Sequence, residues 1–292
     1  MTTPPPRPGR VLRQKIQERR GLLVAGAANA LAGRVIEEEG YEAVYLSGAG
    51  LTNTHYGMPD LGFVTLTDLA QHVAMLRDAV ALPIIVDADT GFGNELNVHH
   101  AVRTLERAGA DAIQLEDQRM PKKCGHFNDK SVIPAAEAAS KIKAAVDARR
   151  SDDLLVIART DAIAVEGFDA AIERAGRFIE AGADITFVEA PGSLEQLQRI
   201  PQLLAAPQLV NVVIGGKTPT LPAEEFARMG YGLVLYANAA LQGAVRGMTQ
   251  ALRQLKSTGR LDEDSGLVAT FDERQRLVRK DAYDALAAKF RD

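Results

Sequence analysis

The sequence predicts an α/β fold, a (β/α)₈ barrel of the TIM type, from the following observations. Eight apolar segments of strand length recur along the 292 residues, and nearly all of them are apolar until a polar end. Segments of helix length separate them, and no linker interrupts the series. Strands of this kind are buried on both faces, as in parallel sheets. The eight segments are GLLVAG at residue 21, AVYLSG at 43, LPIIVDAD at 82, AIQLED at 112, LLVIARTD at 154, ITFVEA at 185, LVNVVI at 209 and GLVLYAN at 232.

Glycines precede four of these strands at the point where a helix should end. Gly40, Gly109, Gly182 and Gly230 stand in similar settings, and glycine readily adopts the left-handed conformation that terminates helices. A helix, a glycine stop and a buried strand, repeated around the series, fit a closed barrel better than an open doubly wound sheet.

The segments outside the repeat predict the domain boundaries. Residues 1–10 are rich in proline and are expected to form an extended tail. The barrel is expected to span residues 11–255, and VLRQKIQERR at its start is expected to be a short amphipathic capping helix. Residues 256–292 are expected to be a C-terminal helical extension, in which DERQRLVRKDAYDALAAKF at residue 272 forms one charged amphipathic helix.

Composition excludes several classes of function. A net charge of −4 and 5% aromatic residues provide neither a basic field nor stacking groups for nucleic acid. No apolar run approaches the ~20 residues of a membrane helix, and the start lacks the apolar core of a signal peptide, so a cytoplasmic location is expected. The single cysteine excludes an internal disulfide and a multi-cysteine zinc site.

Acidic residues close three of the predicted strands, at the end where barrels place their active sites. Asp87 and Asp89 follow strand three with the two-residue spacing that puts both on one side, and Glu116 with Asp117 and Glu189 end strands four and six. Hard oxygen ligands in partial array suit Mg²⁺ or Mn²⁺ that keeps several waters. The alternative is that these acidic ends only cap loops.

Groups that could grip an organic acid follow strands two and five. Tyr45, Ser47 and Gly48 come from YLSGAG, whose backbone N–H groups could bind a carboxylate. Arg159 has a planar fork that matches a carboxylate, but a buried salt bridge within the protein is an equal alternative.

The lone cysteine stands in the segment after strand four. Lys122, Lys123 and His126 flank Cys124 and would lower the pKa of its thiol, and Gly125 allows a tight turn. Such a thiol could exchange a proton near neutral pH. The alternative is an incidental surface cysteine in a basic loop.

Taken together, seven motifs in order resemble the isocitrate lyase and phosphoenolpyruvate mutase superfamily. The KKCGH motif is similar to the lyase branch that includes 2-methylisocitrate lyase, 2,3-dimethylmalate lyase and oxaloacetate hydrolase, whereas the phosphonate mutases carry a different, cysteine-free loop. The motifs are YLSG at residue 45, PD at 59, DADTGFGN at 87, EDQ at 116, KKCGH at 122, ARTDA at 158 and EA at 189.

The resemblance implies a role for each matching residue. It implies Mg²⁺ held directly by Asp87, with Asp89 and Glu116 acting through its waters. It also implies that Cys124, on a mobile gating loop, is the general acid. The other residues implied for catalysis are Tyr45, Lys122, His126 and Glu189, and those implied for substrate binding are Ser47, Gly48, Asp60, Gly125, Arg159, Asn211 and Gln242.

The activity that the resemblance implies is retro-Claisen cleavage of a substituted malate to pyruvate and a second carboxylic acid. The base that deprotonates the 2-hydroxyl is either Tyr45 or a metal-bound water. The alternatives are an oxaloacetate hydrolase or decarboxylase, a less favoured phosphonate mutase and, outside catalysis, a binding or structural barrel. In this superfamily a C-terminal helix is exchanged between subunits, which implies a homodimer or homotetramer.

The region that should contact the distal end of the substrate departs from the 2-methylisocitrate lyase pattern. Asn211 is kept, but Ile214 stands at a Glu position and Gln242 at an Arg position of that pattern. A third carboxylate would lack a cationic partner, unless Arg246 turns inward. The sequence therefore predicts a dicarboxylate such as 2,3-dimethylmalate rather than the tricarboxylate 2-methylisocitrate.

Overall fold

Eight parallel strands close into a barrel in the computed structural model, which describes residues 7–123, 125 and 129–291. Each strand pairs with the next along the chain, and the last pairs with the first. This arrangement confirms the predicted (β/α)₈ fold, with one strand from every predicted segment. The strands are β1 Leu22–Ala27, β2 Val44–Leu46, β3 Ile84–Asp87, β4 Ala112–Glu116, β5 Leu155–Thr160, β6 Ile185–Val188, β7 Gln208–Asn211 and β8 Leu233–Tyr236.

Helices surround the barrel and extend beyond it at both ends of the chain. A π-helical turn, Thr52–Tyr56, continues the short helix after β2, and a 3₁₀ turn, Glu263–Ser265, lies in the C-terminal extension. The α-helices are α1 Pro8–Gln17, α2 Ala30–Glu38, α3 Gly48–Leu51, α4 Leu66–Ala79, α5 Glu95–Ala108, α6 Ala135–Ala148, α7 Ile163–Glu166, α8 Phe168–Glu180, α9 Leu194–Leu203, α10 Ala223–Met229, α11 Ala239–Thr258, α12 Phe271–Leu277 and α13 Lys280–Ala288.

The glycine stops have the backbone conformation that the sequence predicts. Gly109 ends α5 at φ 111° and Gly230 ends α10 at φ 98°, both in the left-handed region. The other two predicted stops, Gly40 and Gly182, also have positive φ. A residue with a Cβ would be strained there, so these positions fix where each helix turns back toward the sheet.

Two boundaries and one helix differ from the expectation. The first helix begins at Pro8, inside the predicted tail, because proline is favoured in the first turn of a helix, where its missing N–H has no partner to lose. The last barrel helix, α11, runs to Thr258, beyond residue 255. The C-terminal segment expected to be one helix is two, because Arg279 adopts a left-handed conformation at φ 56° between α12 and α13.

The core has an inner and an outer layer, which follow from the alternation of side chains along each strand. Ile85, Ile157 and Phe187 point into the barrel, where they are buried with residues of the other strands. Leu12 and Ile16 of α1 belong to the same cluster, so α1 closes the amino-terminal end of the barrel as the predicted capping helix. The opposite end is left for polar residues.

The helix α11 exposes an apolar stripe. It has no buried residue, and Val245, Met248, Leu252 and Leu255 are between 42% and 64% exposed. Their spacing places them on one face of the helix. No helix in the described part of the chain is long and apolar enough to cross a membrane. The predicted dimer or tetramer would give this stripe a partner, and the oligomeric state stays a prediction.

We expect charge on the α11 stripe to weaken self-association. The double variant Met248→Glu/Leu252→Glu should shift the mass measured by light scattering from a dimer or tetramer toward the monomer, because burying carboxylates in an apolar interface is costly. Arg253→Glu, on the exposed polar face of the same helix, is the control and should keep the wild-type mass. A monomeric wild-type protein would contradict the prediction.

Candidate active site

A small cavity lies at the carboxyl ends of the strands, where the sequence predicts the site. It has a volume of about 40 Å³, and residues in or after seven of the eight strands contribute to its wall. The structure therefore brings together most of the predicted site residues. The lining residues are Tyr45, Ser47, Ala49, Asp60, Asp87, Lys122, Lys123, Gly125, Arg159, Phe187, Glu189, Asn211, Val213, Ala237 and Asn238.

The end of β2 places a serine and a glycine against the acidic residues of β3. The Ser47 hydroxyl accepts a hydrogen bond from the Gly50 N–H at 3.1 Å and so caps α3. The Gly48 N–H points to Asp87 Oδ2 at 3.4 Å. A Cβ on Gly48 would lie only 3.3 Å from Asp89 Oδ1 and 3.4 Å from Asp87 Oδ2, so glycine leaves room beside both carboxylates.

Tyr45 is buried at the end of β2 and its hydroxyl is close to Asp87. Burial, together with the charge of Asp87, raises the pKa of Tyr45 well above its usual value. In the protein alone the phenol thus stays protonated and is a better hydrogen-bond donor than proton acceptor. This environment disfavours Tyr45 as the base, one of the two alternatives that the sequence left open.

Lys122 joins two acidic residues that come from different loops. Its Nζ atom lies 2.7 Å from Asp89 Oδ1 and 2.5 Å from Asp60 Oδ1, and its side chain is 3% exposed. Burial raises the pKa of Asp89 to about 7, although the positive charge of Lys122 acts to lower it. Burial alone would lower the pKa of Lys122, but Asp89, Glu116 and Asp60 outweigh it and raise that pKa well above its usual value. Lys122 therefore remains an ammonium group.

Arg159 is the centre of a buried ion network. Its Nε and Nη2 atoms donate to the two oxygens of Asp161 at 2.9 and 3.0 Å. Its Nη1 lies 3.3 Å from Glu116 Oε2, and its Nη2 lies 3.3 Å from Glu189 Oε2. The guanidinium also stacks 5.2 Å from the centre of the Phe187 ring. The sequence left two roles for Arg159, a buried salt bridge and the binding of a substrate carboxylate. The salt bridges are present, and the side chain also lines the cavity, where it could contact a ligand.

Asp161 was missed by the sequence reasoning. It is fully buried, and its pKa is lowered because Arg159 and Lys130 outweigh the effect of burial. The Lys130 Nζ lies 2.7 Å from Asp161 Oδ1 and also donates to the carbonyl of Gly125. The two-residue spacing from Arg159 in ARTDA could have indicated that Asp161 lies on the same side of the strand. Nothing local could have indicated Lys130.

The loop after β4 is described at Lys122, Lys123 and Gly125, while Cys124 and His126 lie outside the described residues. Gly125 packs directly on Arg159 and Glu189, and a Cβ at this position would overlap both side chains. A side chain at this position would have to displace both groups, and the substrate-binding role of Gly125 stays a prediction.

Asp117 does not join the other carboxylates, so the expectation that it faces the barrel mouth is wrong. Its oxygens accept hydrogen bonds from the Thr160 hydroxyl at 2.7 Å and the Asp161 N–H at 2.9 Å, and Arg174 lies 3.5 Å away. Neighbours on a strand point to opposite faces, so Glu116 faces inward and Asp117 outward. Burial raises the pKa of Asp117 to about 6.

The acidic group fits a hydrated divalent cation better than an all-protein metal site. Within the described residues, no three His, Cys, Asp or Glu side chains are arranged to hold a metal ion directly. The Oε1 atom of Glu116 is buried without a hydrogen-bond partner, and no lysine or arginine of the described chain pairs with Asp87. Mg²⁺ typically takes one or two carboxylates and keeps its remaining waters. The donor set is therefore compatible with the predicted cation.

The described residues of the distal cavity wall, at β7 and β8, are uncharged. Asn211 ends β7 and Asn238 follows β8, and both have a buried Oδ1 atom that no described residue hydrogen-bonds. Asn238 was missed, although it stands at a strand end like the predicted residues. Gln242 is exposed on α11 and does not line the cavity, and Ile214 is 52% exposed.

A closed barrel with buried carboxylates, only partly compensated by cations, at the carboxyl ends of its strands has the architecture of a barrel enzyme. The sequence of residues 12–256 matches the phosphoenolpyruvate phosphomutase family, and the chain belongs to this family. This membership confirms the superfamily that the sequence motifs resemble.

Similar proteins carry the names of lyases and of a hydrolase. The chain is 46% identical over 253 residues to a protein of Aeropyrum pernix named 2-methylisocitrate lyase, a match that covers 87% of this chain and 81% of that protein. The structure of a 2,3-dimethylmalate lyase superposes with a TM-score of 0.91 at 32% identity, covering 99% of this chain and 97% of that one. An oxaloacetate acetylhydrolase bound to 3,3-difluorooxalacetate superposes with a TM-score of 0.90 at 30% identity, covering 97% and 98%.

We expect Asp161→Ala to destabilise the fold by about 3–5 kcal/mol in urea unfolding, because it leaves Lys130 and Arg159 buried without their shared partner. The matched control is Asp169→Ala on α8. Its side chain is 94% exposed and comes no nearer than 3.9 Å to the guanidinium of Arg199. That control should change the free energy of unfolding by no more than ~0.5 kcal/mol. Equal effects of the two substitutions would contradict the network described here.

Proposed function

We propose that this protein is a carbon–carbon lyase that depends on a divalent cation and cleaves a substituted malate to pyruvate and a second carboxylic acid. The observation that carries the proposal is the meeting of Asp87 and Arg159 at one cavity, with Glu116 3.3 Å behind the guanidinium. The backbone of Gly48 lies beside Asp87. A cation and a guanidinium side by side suit an α-hydroxy acid, whose carboxylate and hydroxyl are both oxygen donors. The lyase relatives support this reaction class.

The cation site in this proposal consists of Asp87 as direct ligand, with Asp89 and Glu116 acting through water. Mg²⁺ is the proposed ion, and Mn²⁺ is an acceptable substitute. The ion would supply a positive charge that stabilises the 2-oxygen of the substrate once its hydroxyl has lost the proton. Gly48 keeps the space beside Asp87 and Asp89 open for it.

The protein groups would bind the reacting end of the substrate and move two protons. Arg159 and the N-terminal backbone of α3 hold its carboxylate. A base removes the proton of the 2-hydroxyl, the C2–C3 bond breaks, and its electron pair leaves with the second fragment as an aci-carboxylate. That fragment takes a proton on carbon from the Cys124 thiol, so the products are pyruvate and a saturated acid.

A hydrolase acting on oxaloacetate is the second candidate function. It is favoured by the close superposition with the oxaloacetate acetylhydrolase. Oxaloacetate carries the 2-oxo-acid group of the proposed product pyruvate, so the same cavity would accept it. Release of oxalate and acetate would identify a hydrolase, and release of pyruvate and CO₂ a decarboxylase.

The size of the substrate depends on the distal wall. Asn211, Val213, Ala237 and Asn238 bring no cation to that wall, which supports a dicarboxylate with an alkyl group, such as 2,3-dimethylmalate. The identity of 46% to a 2-methylisocitrate lyase supports a tricarboxylate instead. We favour the dicarboxylate, because an unpaired buried carboxylate costs several kcal/mol.

Parallel pyruvate-release assays test the reaction and the substrate. We expect kcat/KM for 2,3-dimethylmalate to exceed that for 2-methylisocitrate, with no release in the presence of excess EDTA. Asp87→Ala provides the background rate. The opposite order of kcat/KM would overturn the dicarboxylate assignment and leave the lyase reaction standing. No 2-oxo acid from any 2-hydroxy diacid would overturn the lyase proposal.

The role of Cys124 is tested by Cys124→Ser. We expect kcat to fall at least ~10²-fold, the usual scale for a positioned proton donor, because a hydroxyl is a much weaker acid than a thiol. The affinity for Mn²⁺ should stay at the wild-type value, since the thiol is not a proposed ligand. Near-normal turnover would remove Cys124 from the mechanism.

A further inference from the structure

Behind the acidic site, outside the barrel wall, lies a buried lysine that the proposed mechanism does not use. Lys141 of α6 is 8% exposed, and its Nζ donates a hydrogen bond to the carbonyl of Thr90 at 2.9 Å. Lysine is almost never buried unless its ammonium has a partner. Among contacts between described residues this is its one hydrogen bond, which leaves two N–H donors of the ammonium for other partners such as water.

The carbonyl that Lys141 holds belongs to a strained loop. Thr90 follows Asp89, which has φ 48°, and precedes Gly91 and Phe92 at φ 83° and 63°. Left-handed conformations of residues other than glycine cost free energy and persist where the surroundings hold them. The hydrogen bond from Lys141 is such a restraint, applied one residue away from the Asp89 carboxylate.

A second observation connects Lys141 to Glu116. Both residues line a cavity of about 10 Å³ between the barrel and α6, together with Thr90 and Arg159. This volume is about that needed by one water molecule. The Oε1 atom of Glu116 is buried without a hydrogen-bond partner in the described structure. A water in this cavity would have Lys141 as its donor and Glu116 as its acceptor.

We propose that Lys141 is a positioning residue for the divalent-cation site. It fixes the loop of Asp89 through the Thr90 carbonyl, and it fixes the Glu116 carboxylate through one buried water. The inference rests on the cation site of the proposed function. Partners of this kind, one layer behind the ligands, orient carboxylates for a metal ion, and their loss typically weakens metal affinity 10–100-fold.

The test measures Mn²⁺ binding to the substrate-free protein by electron paramagnetic resonance. Lys141→Met should raise the dissociation constant at least ~10-fold. The matched control is Lys143→Met, two residues along the same helix and exposed, which should stay within twofold of wild type. A Lys141→Met protein that binds Mn²⁺ as tightly as wild type overturns the inference, even if its Tm falls, because its role is then structural only.

Two further measurements make the result decisive. If Lys141→Met does not fold, Lys141→Gln replaces it, because its shorter side chain stays polar but cannot reach the Thr90 carbonyl. The dissociation constant for Mn²⁺ should again rise at least ~10-fold. A wild-type dissociation constant would overturn the inference. In a high-resolution crystal structure we expect a water hydrogen-bonded to both Lys141 Nζ and Glu116 Oε1. A cavity without water would reject the proposed contact between Lys141 and Glu116. Failure of the wild-type protein to bind Mn²⁺ would instead reject the cation site itself.

Discussion

Among the described residues, the barrel mouth buries more carboxylates than lysines and arginines, and the site is arranged around this imbalance. Glu116, Asp161 and Glu189 all surround the guanidinium of Arg159, while Asp60 and Asp89 share the ammonium of Lys122. A buried carboxylate is stable only if it is paired or protonated. Burial raises the pKa of Glu116 well above its usual value, which indicates that its compensation is incomplete in the protein alone. A divalent cation would complete it.

The charge imbalance also explains why a second layer of charged residues lies behind the first. Arg174 reaches between helices to Asp117 and to the carbonyl of Ile133, and Lys130 supports Asp161 from the far side of the loop after β4. Each of these cations is itself buried and has its own acceptor. Asp161, which holds Arg159, is therefore supported by Lys130, a cation that does not line the cavity, while Arg174 holds the outward Asp117.

The sequence predicts the features that depend on neighbouring residues and misses those that depend on contacts between residues far apart in the chain. Strand periodicity and glycine stops are local, so all eight strands and the inward direction of Asp87 and Glu116 could be derived from the sequence. Asp117 was misplaced because the same periodicity was not applied to it. Lys130 was missed because its partner Asp161 is 31 residues away and the pair follows from folding alone. The break between α12 and α13 was missed because Arg279, a good helix former, adopts a left-handed conformation beside Glu37.

The contacts of Arg159 indicate how the site can admit an acid without losing its structure. Its two bonds to Asp161 are 2.9 and 3.0 Å long and well aligned, whereas those to Glu116 and Glu189 are 3.3 Å. The cavity of about 40 Å³ has room for about three waters, less than a diacid needs. We therefore expect an incoming carboxylate to displace the two longer contacts, while Asp161 keeps the guanidinium plane in place. Glu116, released from Arg159, would then direct its full negative charge to the cation through the intervening water, so that substrate binding and cation binding support each other at one residue.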